Sequence, residues 1–237
     1  GWYPVFDIEL NTGNRASEYM LIEQQTNKSG QVIQQDTALH RFTWKQTDFK
    51  FNMKIPFNLS RGKFNRLLQA EMSNDISFYK HDESTPDQFS EGNFQSLTYR
   101  LYYQQFLRQS TQDVYPNFGV VTDVSFHHSP FSDTNLGNMI LAQSYLFLPG
   151  IHGNHGMRFY AGFHNKQPSG NHSFSDAIRY PRGWGKINSN EMQSFAFDYK
   201  LPLFYPEWSL AGLAYLKRVN ASLFADYANL KGNYYEN

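Results

Sequence analysis

The clearest structural signal in the sequence runs from residue 48 to residue 59 and reads Asp-Phe-Lys-Phe-Asn-Met-Lys-Ile-Pro-Phe-Asn-Leu. Apolar and polar side chains alternate along it with a period of two. Because successive side chains of a β-strand point to opposite faces, this stretch predicts a strand with one apolar and one polar face. The apolar face carries Phe49, Phe51, Met53, Ile55, Phe57 and Leu59.

The same alternation recurs along most of the chain, and helix signals are almost absent. It predicts an all-β fold. Several of the predicted strands exceed the roughly 5–6 residues of a usual soluble strand, and a tilted strand that crosses a bilayer needs about 9–11. The nine predicted strands cover residues 2–11, 40–59, 64–80, 94–109, 117–128, 138–149, 155–165, 192–204 and 213–228.

The connections between these strands alternate in length. Long loops would therefore gather at one end of an up-and-down sheet and short turns at the other, as in outer-membrane barrels. The predicted long connections are 12–39, 81–93 and 166–191, the short ones 60–63, 150–154 and 205–212, and the intermediate ones 110–116 and 129–137.

The two faces of the strands indicate the same architecture. One face of nearly every strand is Phe, Tyr, Leu, Met or Val, and the other is polar and often charged. A membrane barrel directs its apolar side chains to lipid and its polar ones to the lumen. An antiparallel transmembrane β-barrel is therefore the predicted fold. A soluble barrel or sandwich also alternates and remains the alternative.

Composition excludes several other classes of protein. The chain has 237 residues and no cysteine, and its 21 Lys and Arg balance 21 Asp and Glu. The absence of cysteine excludes a disulfide scaffold, and the even charge argues against nucleic-acid binding. No run of about 18 apolar residues is present, which excludes a helical membrane protein. Aromatic residues make up 17% of the chain, too many for a disordered tail.

The chain is expected to be a single β-barrel segment spanning residues 1–237. Gly1-Trp2-Tyr3-Pro4 has neither the basic region nor the apolar region of a signal peptide. The last residues show no turn or strand signal that would close a domain. We therefore expect this segment to be a fragment of a longer chain.

Three motifs near the end of the chain carry a resemblance to a known family. The long connection contains Tyr180-Pro181-Arg182-Gly183-Trp184-Gly185, the next strand reads Phe197-Asp198-Tyr199-Lys200-Leu201-Pro202-Leu203, and the following one contains Phe224-Ala225-Asp226-Tyr227-Ala228. In this order they resemble the C-terminal barrel of the Omp85 superfamily, also called the bacterial surface antigen family. That family usually has Val or Ile before the Arg-Gly pair, Phe or Tyr after it, Glu on the first strand and Gly at the end of the last motif. This chain has Pro181, Trp184, Asp198 and Ala228 there.

The resemblance implies a loop motif, Arg182, Gly183 and Trp184, that folds back into the barrel lumen. Its implied partners on the barrel wall are Asp198, Asp226 and Phe224. It also implies that the nine strands are the fifth to thirteenth of sixteen. The residues themselves allow the same contacts, because two carboxylates on the polar faces of neighbouring strands can share one guanidinium. The alternative on the residues alone is that Arg182 lies on a solvated loop and both aspartates are ordinary lumen charges. We expect Arg182 to lie within salt-bridge distance of Asp226 or Asp198, and Trp184 to pack in the lumen.

No other pattern in the sequence predicts a catalytic or metal site. Histidines cluster at His152, His155, His164 and His172, but the first two and the last would lie at opposite barrel ends, so no metal site is expected. No nucleophile elbow, Walker loop or zinc-protease motif is present. The chain is predicted to be no enzyme, with no catalytic residues and no cofactor.

The implied function is protein insertion or translocation at the bacterial outer membrane, with outer-membrane lipid and other envelope or client proteins as partners and no nucleic acid. Two alternatives remain open at this point. One is a porin-like channel in which the Arg182 loop forms a constriction, and the other is an outer-membrane enzyme barrel of the lipase type.

Overall fold

The computed structural model describes residues 3–26, 32–85, 92–109, 114–131, 134–169, 173–185, 187–210, 212, 214–232 and 235–236. This part of the chain is all-β and contains thirteen strands. Within it there is no helix that is both long and apolar enough to cross a membrane. The strands are β1 Val5–Thr26, β2 Val32–Asn58, β3 Phe64–His81, β4 Gly92–Leu107, β5 Gly119–His128, β6 Asn138–Pro149, β7 Gly156–Gln167, β8 Ile187–Asn188, β9 Glu191–Phe204, β10 Trp208–Leu210, β11 Ala214–Leu216, β12 Val219–Lys231 and β13 Tyr235–Glu236.

Nine of these strands form one sheet in the order β1-β2-β3-β4-β5-β6-β7-β9-β12. Each strand pairs antiparallel with the one before it in this order, which is the up-and-down arrangement predicted from the alternation. The remaining short strands form two small sheets, β10 with β11 and β8 with β13.

Two predicted boundaries are wrong. Residues 12–39 were expected to form a long loop, but β1 and β2 continue through them as a hairpin, from Thr12 opposite Thr47 to Thr26 opposite Val32. The stretch shows no sustained alternation of apolar and polar residues, so its pairing is visible only in the ladder between β1 and β2. The last strand was expected from residue 213, but residues 214–216 pair with β10, and β12 begins only at Val219.

The sheet is open in the described part of the chain. β1 pairs with β2 only and β12 pairs with β9 only, so the two edge strands do not meet to close a barrel. The observed fold is therefore an antiparallel nine-stranded sheet. The pairing still fixes which residues share a face, because residues that are opposite each other in the ladder project to the same side.

The apolar face of this sheet is the exposed one. Its side chains protrude from strand after strand, whereas an ordinary soluble sheet covers its apolar face with a second layer. Large side chains of this face that remain exposed are Phe6, Ile8, Tyr99, Leu101, Val124, Phe126, Ile140, Phe159, Phe195, Leu223 and Tyr227.

The polar face is instead covered by the long connection between β7 and β9. Ile178 of this connection is buried against Leu141 of β6 and Met192 of β9, with Tyr180, Ala228 and Leu230 around them. This small apolar cluster seats the connection on the polar side of the sheet, where the candidate site lies.

Candidate functional site

The connection between β7 and β9 is fixed to the polar face by hydrogen bonds around Arg179. The backbone N–H of Arg179 donates to the hydroxyl of Tyr160 at 3.0 Å, and the hydroxyl of Ser194 donates to the carbonyl oxygen of Arg179 at 2.6 Å. Tyr160 belongs to β7 and Ser194 to β9, so the segment is held between two strands. Its next residues extend toward β12.

Arg182 forms the predicted ion pairs with both aspartates. Its Nε donates to Asp226 Oδ2 at 2.7 Å and its Nη2 donates to Asp198 Oδ1 at 2.6 Å. Its Nη2 also reaches Asp226 Oδ1 at 2.9 Å, and its backbone N–H donates to Asp226 Oδ2 at 3.0 Å. The side chains of Asp198 and Asp226 are 3% and 6% exposed, whereas that of Arg182 is 34% exposed, so the carboxylates are buried while the guanidinium is partly open to water. Bonds between these charged groups are stronger than those between neutral ones.

The two aspartates are diagonal neighbours on the ladder. Asp198 is opposite Phe224, while Asp226 is opposite Ala196. Diagonal side chains are separated by about 7–8 Å, more than a directly opposite pair, so a guanidinium fits between them. The Arg182 guanidinium also stacks on the Phe224 ring, 3.7 Å from its centroid. All three sequence-predicted partners of Arg182 thus meet at one point, and their functional role remains a prediction.

Two further arginines, which sequence reasoning did not identify, complete the cluster. Arg158 of β7 donates through Nε and Nη2 to Asp198 Oδ2, at 3.0 and 2.7 Å. Arg179 lies 3.7 Å from Asp198 and 3.6 Å from Asp226. Three guanidiniums therefore surround two carboxylates. Hydrogen bonding to Asp226 raises the pKa of Arg182 further above its ordinary value, so its charge is permanent.

A second anchor fixes the same connection near its start. The carboxylate of Asp176 makes an ion pair with Lys166 of β7, accepts a hydrogen bond from the Tyr180 hydroxyl, and lies 3.4 Å from His164 Nε2. The side chains of Asp176, Lys166 and His164 are 3%, 1% and 0% exposed. Burial, and then the bond to Asp176, raises the pKa of Tyr180, so this phenol stays protonated.

The other two residues of the loop motif are Gly183 and Trp184. Gly183 adopts a positive φ of 83°, the conformation for which glycine is suited, and the backbone N–H of Trp184 donates to the carbonyl oxygen of Pro181 at 3.3 Å. The Trp184 side chain is 71% exposed and is not packed among the described residues, so its expected place in the lumen stays a prediction. The tight turn lets the backbone N–H of Arg182 reach Asp226.

This geometry suits mechanical anchoring. Every carboxylate of the cluster is occupied by guanidinium groups, and the described residues contain no group of three side chains that could hold a metal ion. The rings of His152 and His155 lie 5.6 Å apart in the β6–β7 turn, while His164 is buried against Asp176. His172 lies outside the described residues.

Sequence reasoning missed Arg158, Arg179 and Asp176 because their partners depend on register and loop path. The period of two places Arg158 on the polar face of its strand, but only the ladder shows that it is directly opposite Asp198. Asp176 and Arg179 lie in a stretch without periodicity. Lys166 lies just beyond the predicted strand 155–165, and the structure extends that strand to Gln167.

Compared with known protein families, with curated proteins and with solved structures, the chain matches none of them, so the resemblance to the Omp85 superfamily rests on the residues quoted above.

Proposed function

We propose that this chain forms part of the wall of an outer-membrane β-barrel that inserts or translocates proteins, as the Omp85 superfamily does. The observation that carries the proposal is that Arg182 forms ion pairs with both Asp198 and Asp226 on the polar face of a sheet whose apolar face is exposed. The loop with the Arg-Gly-aromatic motif would brace the inside of the barrel. No bond chemistry is part of the proposed role.

The inverted arrangement of the two faces supports a membrane location. A soluble sheet with this many exposed Phe, Tyr and Leu side chains on one face would present an apolar patch far larger than monomeric proteins usually expose. In a bilayer the same face would contact lipid, and the ion-paired polar face would line the lumen. The edges of β1 and β12 would have to pair with further strands, because unpaired backbone groups are costly in lipid.

The path of the loop supports the bracing role. It crosses from β7 to reach β9 and β12, and its arginine connects the two strands through their buried carboxylates. A surface loop of a simple pore would not need buried anchors at two places. Removing the Arg182 anchor would free the loop tip while leaving the strand ladder intact.

Lipid exposure can be tested with a pair of neighbouring residues on β12. These 237 residues contain no cysteine, so Leu223→Cys and Ser222→Cys each introduce one thiol into the segment. Any cysteine elsewhere in the full-length protein is first replaced by serine. Both positions are exposed, but they lie on opposite faces. We expect an environment-sensitive fluorophore at position 223 to report an apolar environment after reconstitution of the full-length protein into vesicles, and the same fluorophore at position 222 to report water.

Equal, water-like emission from the two positions would contradict the membrane proposal. Emission in detergent-free buffer provides the reference for each label. The Ser222→Cys protein is the matched control, because its label lies on the neighbouring residue of the same strand.

The transport role can be tested with Arg182→Ala in the full-length protein. We expect the rate at which vesicles containing the protein fold an added unfolded outer-membrane barrel to fall by about tenfold or more, a barrier change of roughly 1.4 kcal/mol. Arg61→Ala removes an exposed arginine from the β2–β3 turn and should leave the rate unchanged.

Two results would count against this role. One is a folding rate that does not depend on the presence of the wild-type protein. The other is a stable ion conductance that barely changes in Arg182→Ala, which would favour the porin-like channel.

A further inference from the structure

A second loop reaches the polar face from the opposite end of the sheet. The connection between β4 and β5 leaves at the end where β7 begins, whereas the loop that carries Arg182 leaves where β7 ends. Tyr115 of the β4–β5 connection packs on this face, with its ring 5.7 Å from that of Phe147. The motif that carries the proposed function does not include this residue.

Tyr115 is held between two cations. Its ring lies 5.4 Å from the Arg158 guanidinium and 4.8 Å from the Lys200 ammonium. Cation–π contacts of this length are favourable, more so where water is excluded. The hydroxyl of Tyr115 is buried and has no hydrogen-bond partner among the described residues. The ring, and not the hydroxyl, therefore holds this residue in place.

Gly156 makes room for this arrangement. A Cβ atom at this position would lie 2.7 Å from the Cβ of Tyr115, closer than real Cβ atoms come. The β4–β5 connection thus approaches the backbone of β7 where a side chain is absent. This places the Tyr115 ring beside Arg158, two residues further along the strand.

Arg158 connects this ring to the Arg182 site. It occupies Asp198 Oδ2 with two hydrogen bonds, while Arg182 takes Asp198 Oδ1. The carboxylate is thereby fixed from both sides. From Arg158 to the end of β7 the strand covers about 30 Å. Arg182 therefore contacts the Arg158–Asp198 pair near the start of β7, at the opposite end of the sheet from the point where its loop leaves the strand.

We propose that Tyr115 and Arg158 are positioning residues that hold the Asp198 carboxylate in the orientation in which it binds Arg182. They thereby couple the β4–β5 connection to the connection between β7 and β9, which reach the polar face from opposite ends of the sheet. Arg158 is restricted by the Tyr115 ring on one side and by the Tyr145 ring, 5.7 Å away, on the other. Loss of the Tyr115 ring removes one of these two contacts and weakens the hold of Arg158 on Asp198. The meaning of this coupling for transport rests on the proposed function, but the coupling itself is measurable without it.

The coupling can be tested with a nitroxide spin label at Trp184→Cys, an exposed site in the Arg182 loop. These 237 residues contain no other cysteine, and any cysteine elsewhere in the full-length protein is first replaced by serine. Electron paramagnetic resonance of the full-length protein in vesicles reports the nanosecond mobility of the label. We expect Tyr115→Leu to raise this mobility by at least half of the increase that Arg182→Ala gives. Gly156→Ala should act in the same direction, because it displaces Tyr115.

Tyr115→Phe is the matched control. It keeps the ring and removes only the unpaired hydroxyl, so the mobility of the label should stay that of the wild type. Combining Tyr115→Leu with Arg158→Met should add nothing to the effect of Arg158→Met alone, since the ring acts through that arginine.

A Trp184→Cys label whose mobility is unchanged by Tyr115→Leu, but raised by Arg182→Ala, would overturn the proposal. A second label at Leu223→Cys on β12 distinguishes coupling from general loosening. Equal changes at both labels in Tyr115→Leu would also overturn it. Neither result bears on the proposed function, which is tested by the rate at which the vesicles fold an added outer-membrane barrel.

Discussion

Replacing Asp198 with Asn is expected to lower the free energy of unfolding by about 3–5 kcal/mol, because it breaks a buried ion pair and leaves charge without a counter-ion. Asp198 is 2% exposed and accepts hydrogen bonds from both Arg158 and Arg182. Without its charge, Arg179 and Arg182 keep only Asp226 as a counter-ion, and Arg158 loses its carboxylate partner. The amide keeps the size of the carboxylate, so lost charge and not a cavity causes the effect.

The measurement is denaturation by guanidinium chloride, followed by tryptophan fluorescence, for the full-length protein. Glu191→Gln is the matched control on the same strand. Its partner Lys231 is well exposed and 3.7 Å away, so this change should cost less than about 1 kcal/mol. Similar losses for the two variants would show that the Asp198 cluster does not stabilise the sheet.

The second large effect is expected at the buried anchor. Asp176→Asn should destabilise the protein by about 3–5 kcal/mol, because Lys166 is 1% exposed and would lose the carboxylate that neutralises it. The same denaturation measurement applies. Unlike the Asp198 cluster, this site connects the start of the loop to a single strand, β7.

Replacing both partners provides the control for this second prediction. The double variant Lys166→Met, Asp176→Leu removes both charges and should be more stable than Asp176→Asn, because no unpaired charge remains buried. A double variant less stable than either single one would indicate that the packing around Asp176, and not charge pairing, dominates this site.

The sequence predicts the strand order well because alternation in stretches such as 48–59 identifies strands directly. The Arg182 contacts span 16 and 44 residues, and they were predictable because Asp198 and Asp226 stand in two motifs that resemble those of the Omp85 superfamily. The sequence fails at residues 12–39, which show no sustained alternation, so only the ladder identifies their pairing in β1 and β2.

Arg158 shows the limit most clearly. Its face was predictable from the period of two, but its partner depends on the register between β7 and β9. If the register between β7 and β9 shifted by one residue, Arg158 would be opposite Phe197 or Tyr199 and not opposite Asp198. Only the ladder, with Arg158 opposite Asp198, identifies the pair.

The hairpin of β1 and β2 implies a steep gradient of local stability. β1 pairs with β2 alone, and β3 pairs with β2 only from Trp44 onward, so the hairpin beyond Arg15 and Trp44 is a two-stranded ribbon. It lacks the two-sided ladder of a strand such as β6. A two-stranded ribbon is at best marginally stable in water. Its backbone amides should exchange with deuterated solvent long before those of β6, and insertions there should leave the Arg182 anchor undisturbed.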